Sequence, residues 1–250
     1  MGQLDGKIAL VTAGGGGIGQ ATAMLLAERG AHVIAADIDP AGLDETLKNC
    51  TAPDRLRSVV ADATTLAGAE AAVRAAAESF GGLSILVNVV GGSKPGKTVV
   101  DLTLEEWDGW VRLNLTSTFL MCKAAIPVMA ASGGGSIVNI ASGAGVNGMK
   151  KNPAYVAAKG GVVSLTKSLA IDHAEQKIRA NCIAPGAILT PLMKRNRRQE
   201  EIDWMANANL VGRIGLPHDI AAMVAFLSGD DGAFVNGELI NVSGGPKAGI

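Results

Sequence analysis

Lys7-Ile-Ala-Leu-Val11, then Thr12 and Ala13, then Gly14-Gly15-Gly16-Gly17-Ile18-Gly19 is the stretch that decides the fold. The apolar run reads as a short parallel strand buried on both faces. The glycines that follow fit G-x-G-x-x-G, a template that any glycine-rich run satisfies easily. Its weight comes from context, since it follows a strand and opens a helix predicted from Gln20 to a glycine cap at Gly30. Glycines there let backbone N–H groups approach a pyrophosphate, and the helix N-terminus favours its charge.

Outward from that unit, strands and helices alternate. Strands are predicted at Val33–Ala36, Leu56–Ala61, Ile85–Val87, Ile137–Ile140, Arg179–Ala184 and Glu238–Val242. Helices are predicted at Leu66–Phe80, Leu104–Ala131 (with a distortion at Pro127), from Asn152 onward, and at Pro217–Leu227. Residues 190–212 read as an irregular charged segment. This alternation means an α/β fold with a parallel, doubly wound sheet, and no linker divides residues 1–250 into two domains.

Asp37 ends the second strand about 20 residues beyond the glycines, where a carboxylate accepts hydrogen bonds from a ribose diol. It would repel a 2′-phosphate, and Ile38 supplies no compensating cation, so the expectation is NAD over NADP. Asp62 ends the next strand and either meets the adenine edge or caps the loop.

Tyr155 and Lys159 lie four apart behind Asn152-Pro153, a predicted N-cap and first helical position. Residues at that spacing share a helix face, and a nearby ammonium lowers a phenol's pKa, making Tyr155 a general acid/base. Ser142, just past the strand Ile137–Ile140, is placed to hydrogen-bond a substrate oxygen.

Bulk properties exclude several alternatives. The chain of 250 residues is 48% apolar and carries a formal net charge of −1, so no overall basic field serves nucleic acid or an anionic membrane. Cys50, Cys122 and Cys182 are too widely spaced for a disulfide framework or a metal knuckle. His32, His173 and His218 are isolated from other ligand types, so no metal site is expected. The charge-free run Ala124–Met149 contains Pro127, Asn139 and consecutive glycines, which break it into helix, turn and strand. The N-terminus has no basic-then-apolar leader, and a cytoplasmic location is expected.

The segment Thr12–Gly19, with Asp62, Asn88, Gly91, Asn114, Ser142, Tyr155, Lys159, Pro185, Gly186 and Thr190 in this order, resembles the short-chain dehydrogenases/reductases along essentially the whole chain. The resemblance implies a Rossmann-type sheet of order 3-2-1-4-5-6-7, alcohol–carbonyl oxidoreduction with a nicotinamide cofactor, and a homotetramer. It makes Asn114, Ser142, Tyr155 and Lys159 the catalytic set, with Asn114 holding a water that links Lys159 to solvent. Cofactor contacts would come from Ala13, Gly15, Gly16, Gly17, Ile18 and Gly19, from Asp37 and Ile38, and from Asp62 and Ala63. On the nicotinamide side they would come from Asn88, Val89, Tyr155, Lys159, Pro185, Gly186, Ile188 and Thr190, with residues 190–212 as a substrate lid. The family usually has glycine at Ala13, Asn-Ala at Val89-Val90 and Asp at Ser243.

The expected substrate is a small secondary alcohol or ketone. The enzymatic alternative is an NADPH-dependent 3-oxoacyl-(carrier protein) reductase, against which Asp37 and the arginine-free helix ends Val128–Ala131 and Leu169–Asp172 speak. A non-catalytic NAD-binding interaction protein is a further alternative on the same fold. Lys150, Lys151, Lys194, Arg195, Arg197 and Arg198 either receive a carboxylate or phosphate or form a solvated charge run.

Overall fold

The computed structural model describes residues 3–245. Seven strands form one parallel sheet in the order β3-β2-β1-β4-β5-β6-β7. They are β1 (Ile8–Thr12), β2 (His32–Asp37), β3 (Leu56–Val60), β4 (Ile85–Asn88), β5 (Gly135–Ile140), β6 (Ile178–Pro185) and β7 (Leu239–Val242). Successive residues of β1 serve opposite faces: Ala9 and Val11 enter one apolar cluster, and Leu10 enters the other. That is why its sequence is continuously apolar.

One face is covered by α1 (Gly17–Glu28) and α2 (Pro40–Asn49), joined later in the chain by a helix at residues 217–228. The other carries α3 (Leu66–Phe80), α4 (Leu104–Val111) continuing into α5 (Ser117–Ala131), and then, past the short α6 (Ala144–Asn147), α7 (Pro153–Asp172). The helices α8 (Pro191–Asn196) and α9 (Gln199–Asn207) precede α10 (Pro217–Ser228), the third helix on the first face. Helix α1 stops as its sequence demands. Gly30 takes φ +106°, its N–H bonds Ala27 O at 3.0 Å, and the Ala31 N–H bonds Leu26 O at 3.0 Å.

Four expectations are corrected. Helix α1 begins at Gly17 rather than Gln20, because the third and fourth glycines already adopt the helix entry. The helix α2, headed by Pro40 and capped by Asp39 Oδ1 from Ala41 N at 3.1 Å, was absent from the sequence reading. The long helix 104–131 changes pitch at a π-helical segment, Arg112–Thr116, and runs on through Pro127 to Ala131. Residues 190–212 are not irregular, since α8 and α9 occupy most of them. By length and composition the helix 104–131 would span a membrane. Met121, Cys122, Ala125 and Met129 instead bury it against the sheet.

A polar chain crosses the apolar interior. Asn88 and Asn139 are register partners on β4 and β5, and Asn88 Nδ2 donates to Asn139 Oδ1 at 2.8 Å. Asn139 Nδ2 donates to Thr166 Oγ1 at 2.9 Å, which reaches α7. Such a chain fixes the helix's depth and rotation, because each amide has a single good geometry.

The closest helix–loop approach is at Gly19, where an added Cβ would lie 2.0 Å from Ala13 O and 2.9 Å from Thr12 O. At Gly16 an added Cβ meets nothing within 4 Å. Gly19→Ala is therefore expected to destabilise the protein by about 1–3 kcal/mol, the usual range for overpacking. Gly16→Ala should leave stability nearly unchanged. Thermal unfolding of both variants checks this, and equal midpoints would refute the packing argument.

Candidate active site

The loop after β1 and the ends of β2 and β3 enclose a cavity lined by Ala13, Asp37, Ile38, Asp62, Ala63 and Gly91, among others. Asp37 is tied to the glycine loop. Its Oδ2 accepts from Gly15 N at 2.9 Å and its Oδ1 from Asp39 N at 3.0 Å. Bonded once each, both oxygens keep lone pairs for a diol. Gly15 approaches closely here: a Cβ would sit 3.0 Å from Asp37 Oδ2 and 3.3 Å from the Gly42 carbonyl carbon, so the carboxylate would have to shift. Ala13 holds φ +53°, a left-handed conformation that costs a non-glycine residue roughly 1–2 kcal/mol. Gly17, at φ +55°, faces the methyl of Thr190, 3.3 Å from where its Cβ would be.

Other predicted contacts resolve differently. Asp62 Oδ1 accepts from Thr64 N at 2.8 Å and Thr64 Oγ1 at 2.7 Å, so its carboxylate caps the loop even as the residue lines the cavity. The Asn88 side chain turns into the core toward Asn139 and Cys122, not toward the cavity, although its Oδ1 is left without a partner. Ile188 packs in the core, and the Thr190 hydroxyl caps α8 by accepting from Met193 N at 3.2 Å. Val89 reaches Thr12 through its backbone, N–H to Oγ1 at 2.9 Å. Ile18 packs against the core, and Pro185 and Gly186 stand at the end of β6, where Gly186 is exposed. Thr12, Val90 and Leu113 also line the cavity. They are cavity residues the sequence reading did not assign, because nothing in their type distinguishes them from sheet packing.

The four predicted catalytic residues converge at the C-terminal ends of β4 and β5. Lys159 is 3% exposed, and its Nζ donates to Ile140 O at 2.8 Å. Burial pulls its pKa down to about 8. The neighbouring Cys182 thiol is pushed up to about 11, also by burial, so at neutral pH it offers no counter-charge. Asn114 sits inside the π-helical segment, fully buried. Its Nδ2 donates to Gly92 O at 3.0 Å and Trp110 O at 3.1 Å, and its Oδ1 accepts from Gly92 N at 3.0 Å. A Cβ on Gly91 would lie 2.8 Å from Asn114 Oδ1 and 2.9 Å from Lys159 Nζ, so both polar atoms border one small space that only glycine leaves free.

Ser142 Oγ accepts from Ala144 N at 3.2 Å, at the turn into α6. That helix lies directly on α7, since a Cβ on Gly145 would be 2.7 Å from the Lys159 carbonyl carbon. The approach sets the serine beside Tyr155. Burial raises the Tyr155 phenol above its ordinary value, while hydrogen bonding with Ser142 works in the other direction. The net lowering expected for the phenol is not found: burial outweighs it, and Lys159 Nζ is engaged at Ile140 O.

Asn152 occupies the N-cap position of α7 but makes no capping bond. Its Nδ2 donates instead to Ser93 Oγ at 2.6 Å and Met149 Sδ at 3.4 Å. Among the described residues no cluster of His, Cys, Asp and Glu could hold a metal ion, and the three cysteines are free and buried. His32 stacks on Phe80 with ring centroids 4.8 Å apart, and His173 Nδ1 pairs with Gln176 Oε1 at 2.7 Å.

A family model described as enoyl-(acyl carrier protein) reductase matches residues 12–247. The chain is 35% identical to a cyclohexanol dehydrogenase of Acinetobacter sp. (strain SE19), covering 97% of this chain and 95% of that one. It is 33% identical to a 3-oxoacyl-[acyl-carrier-protein] reductase of Thermotoga maritima, covering 97% and 98% respectively. A crystal structure described as a putative short-chain alcohol dehydrogenase from Sinorhizobium meliloti 1021 superposes with a TM-score of 0.90 at 34% identity, over 96% of each chain. Matched by the family model over residues 12–247 and by relatives over 97% of its length, the chain belongs to the short-chain dehydrogenase/reductase family.

Proposed function

We propose that this protein is an NAD-dependent oxidoreductase that interconverts a secondary alcohol and a ketone, with Tyr155 as acid/base. The observation that carries the reading is the convergence of Ser142, Tyr155, Lys159 and Asn114 beside a cavity that ends at Asp37. When bound, the nicotinamide ring supplies the hydride acceptor or donor. Every remaining requirement falls on the chain. The Ser142 hydroxyl orients the substrate oxygen, and the Tyr155 phenolic oxygen takes the proton in oxidation or gives it in reduction. Lys159 and Asn114 border the space through which that proton is relayed.

The Asp37 carboxylate supports NAD over NADP, because a 2′-phosphate would be forced against a charge fixed by Gly15 N–H, with exposed Ile38 beside it. The carrier-protein reductase reading is favoured by one relative's name and opposed by this carboxylate. The NAD-binding interaction protein is disfavoured because the whole acid/base set is present. We further place the protein in the cytoplasm as a homotetramer of single-domain chains acting on a small molecule. Helices α8 and α9 serve as a lid over the substrate, with Leu192 and Trp204 exposed at 47% and 61%.

Tyr155→Phe is expected to lower turnover by about 10²–10⁴-fold, the usual worth of general acid/base help, while leaving NADH affinity largely intact. Comparable turnover in that variant would remove Tyr155 from the mechanism. Titration followed by nicotinamide fluorescence should show tighter binding of NADH than of NADPH. The opposite preference would transfer the assignment to the reductase alternative.

Lys159 also predicts a pH signature in the cofactor-free protein. Its folded pKa of about 8 lies below the ordinary 10.5, so between these values the unfolded chain binds more protons and stability rises with pH. The full shift corresponds to about 3 kcal/mol. Urea midpoints measured from pH 7 to 10.5 should climb more steeply in the wild type than in Lys159→Met, and parallel profiles would contradict the buried ammonium.

A further inference from the structure

The charges around the substrate side of the cleft are distributed unevenly. Residues 91–97, 148–155 and 186–198 hold eight of the 22 lysines and arginines and none of the 23 aspartates and glutamates. They are far apart in sequence, and the fold joins the first two into one rim. The Gly96 N–H donates to Lys151 O at 2.8 Å, and Asn152 is bonded to Ser93, so the first two segments are stapled together. The third leaves β6 beside Ser142, where Gly143 N donates to Pro185 O at 3.3 Å, and passes Gly17 at Thr190.

Three of the eight cations are neutralised by carboxylates from outside these segments. Lys97 pairs with Glu106, Arg197 with Glu201 at 3.4 Å, and Arg198 with Glu200 at 3.8 Å. Lys94, Lys150, Lys151, Lys194 and Arg195 are exposed and, among the described residues, form no ion pair. Asp101 feels the field of Lys151 and Lys97, but its carboxylate is engaged by the Thr98 hydroxyl and N–H. Lys151 holds φ +57°, a left-handed conformation uncommon for a residue other than glycine.

A second observation points the same way. Helix α7, 20 residues long, starts at this rim without a side-chain cap, because Asn152 is turned away to Ser93. Its N-terminal turn follows Lys150 and Lys151 directly in the chain, so its dipole adds to their positive field. Carboxylates of neighbouring segments answer part of this charge, and Lys94, Lys150 and Lys151 stay without an ion pair among the described residues.

We propose that the substrate carries an anionic group, a carboxylate or a phosphate, received by Lys150, Lys151 and the neighbouring cations while its alcohol or ketone meets Ser142 and Tyr155. This deepens the oxidoreductase reading and rests on it. Electrostatic focusing at such a rim raises the local concentration of an anionic substrate and weakens with salt.

Two matched pairs test it: 4-oxocyclohexanecarboxylate against its methyl ester, and dihydroxyacetone phosphate against dihydroxyacetone. Each is titrated calorimetrically into the full chain saturated with NAD, where the ketone cannot be reduced. The charged member of at least one pair is expected to bind about tenfold or more tightly than its neutral partner at low salt, and the preferred pair separates carboxylate from phosphate. The ratio should fall toward one in Lys150→Glu/Lys151→Glu, and part of the way in Lys150→Gln/Lys151→Gln, which imposes no repulsion and guards against a folding defect. Equal affinity within both pairs, absence of binding included, overturns the inference, as does a ratio that neither variant changes. Failure of NAD to saturate the protein in the first step would instead strike the oxidoreductase reading, so the two failures are distinct.

Discussion

The hydrogen bond from Lys159 Nζ to Ile140 O is the constraint on which the rest of the site depends. An ammonium has been taken out of water without a carboxylate to meet it, and the interior answers with a single carbonyl at a strand end. Such an arrangement persists only if neighbouring elements hold it in place. Gly145 lets α6 lie on the Lys159 backbone, Gly91 leaves room above the ammonium, and the Asn139–Thr166 bond fixes α7 against the sheet. Each is an investment in position, and none makes sense as packing alone.

The same economy appears on the nucleotide side. The Asp37 carboxylate bonds Gly15 N–H, so the residue that would recognise a ribose also shapes the loop that would hold a pyrophosphate. A change of cofactor preference made at Asp37 alone would therefore also disturb the glycine loop. Ala13, held in the left-handed region, and Gly19, closed on Ala13 O, leave that loop little freedom to adapt.

How much of this was legible depended on whether the signal was periodic, local or tertiary. The sheet could be read because most strands are short apolar runs separated by helical stretches, and the order of all seven strands is as the family resemblance implied. The placement of Tyr155 and Lys159 on one helix and of Ser142 just past a strand was legible from spacing, whereas Asn114 was singled out only by the family resemblance. Other features lay outside the reach of the sequence. The π-helical segment Arg112–Thr116 has no glycine or proline to announce it, while Pro127, the obvious suspect, leaves the helix intact. Asn152 looked like a cap because Asn-Pro usually is one, but its amide found Ser93, 59 residues away. Asn88 was expected at the cofactor, and its register with Asn139 turned it inward.

The tyrosine shows why proximity in sequence is not coupling. Four-residue spacing does set Tyr155 and Lys159 on one helix, but a lysine has four methylenes with which to reach elsewhere, and here it reaches Ile140 O. Burial then dominates, leaving the phenol high and the ammonium low, each displaced toward its neutral form.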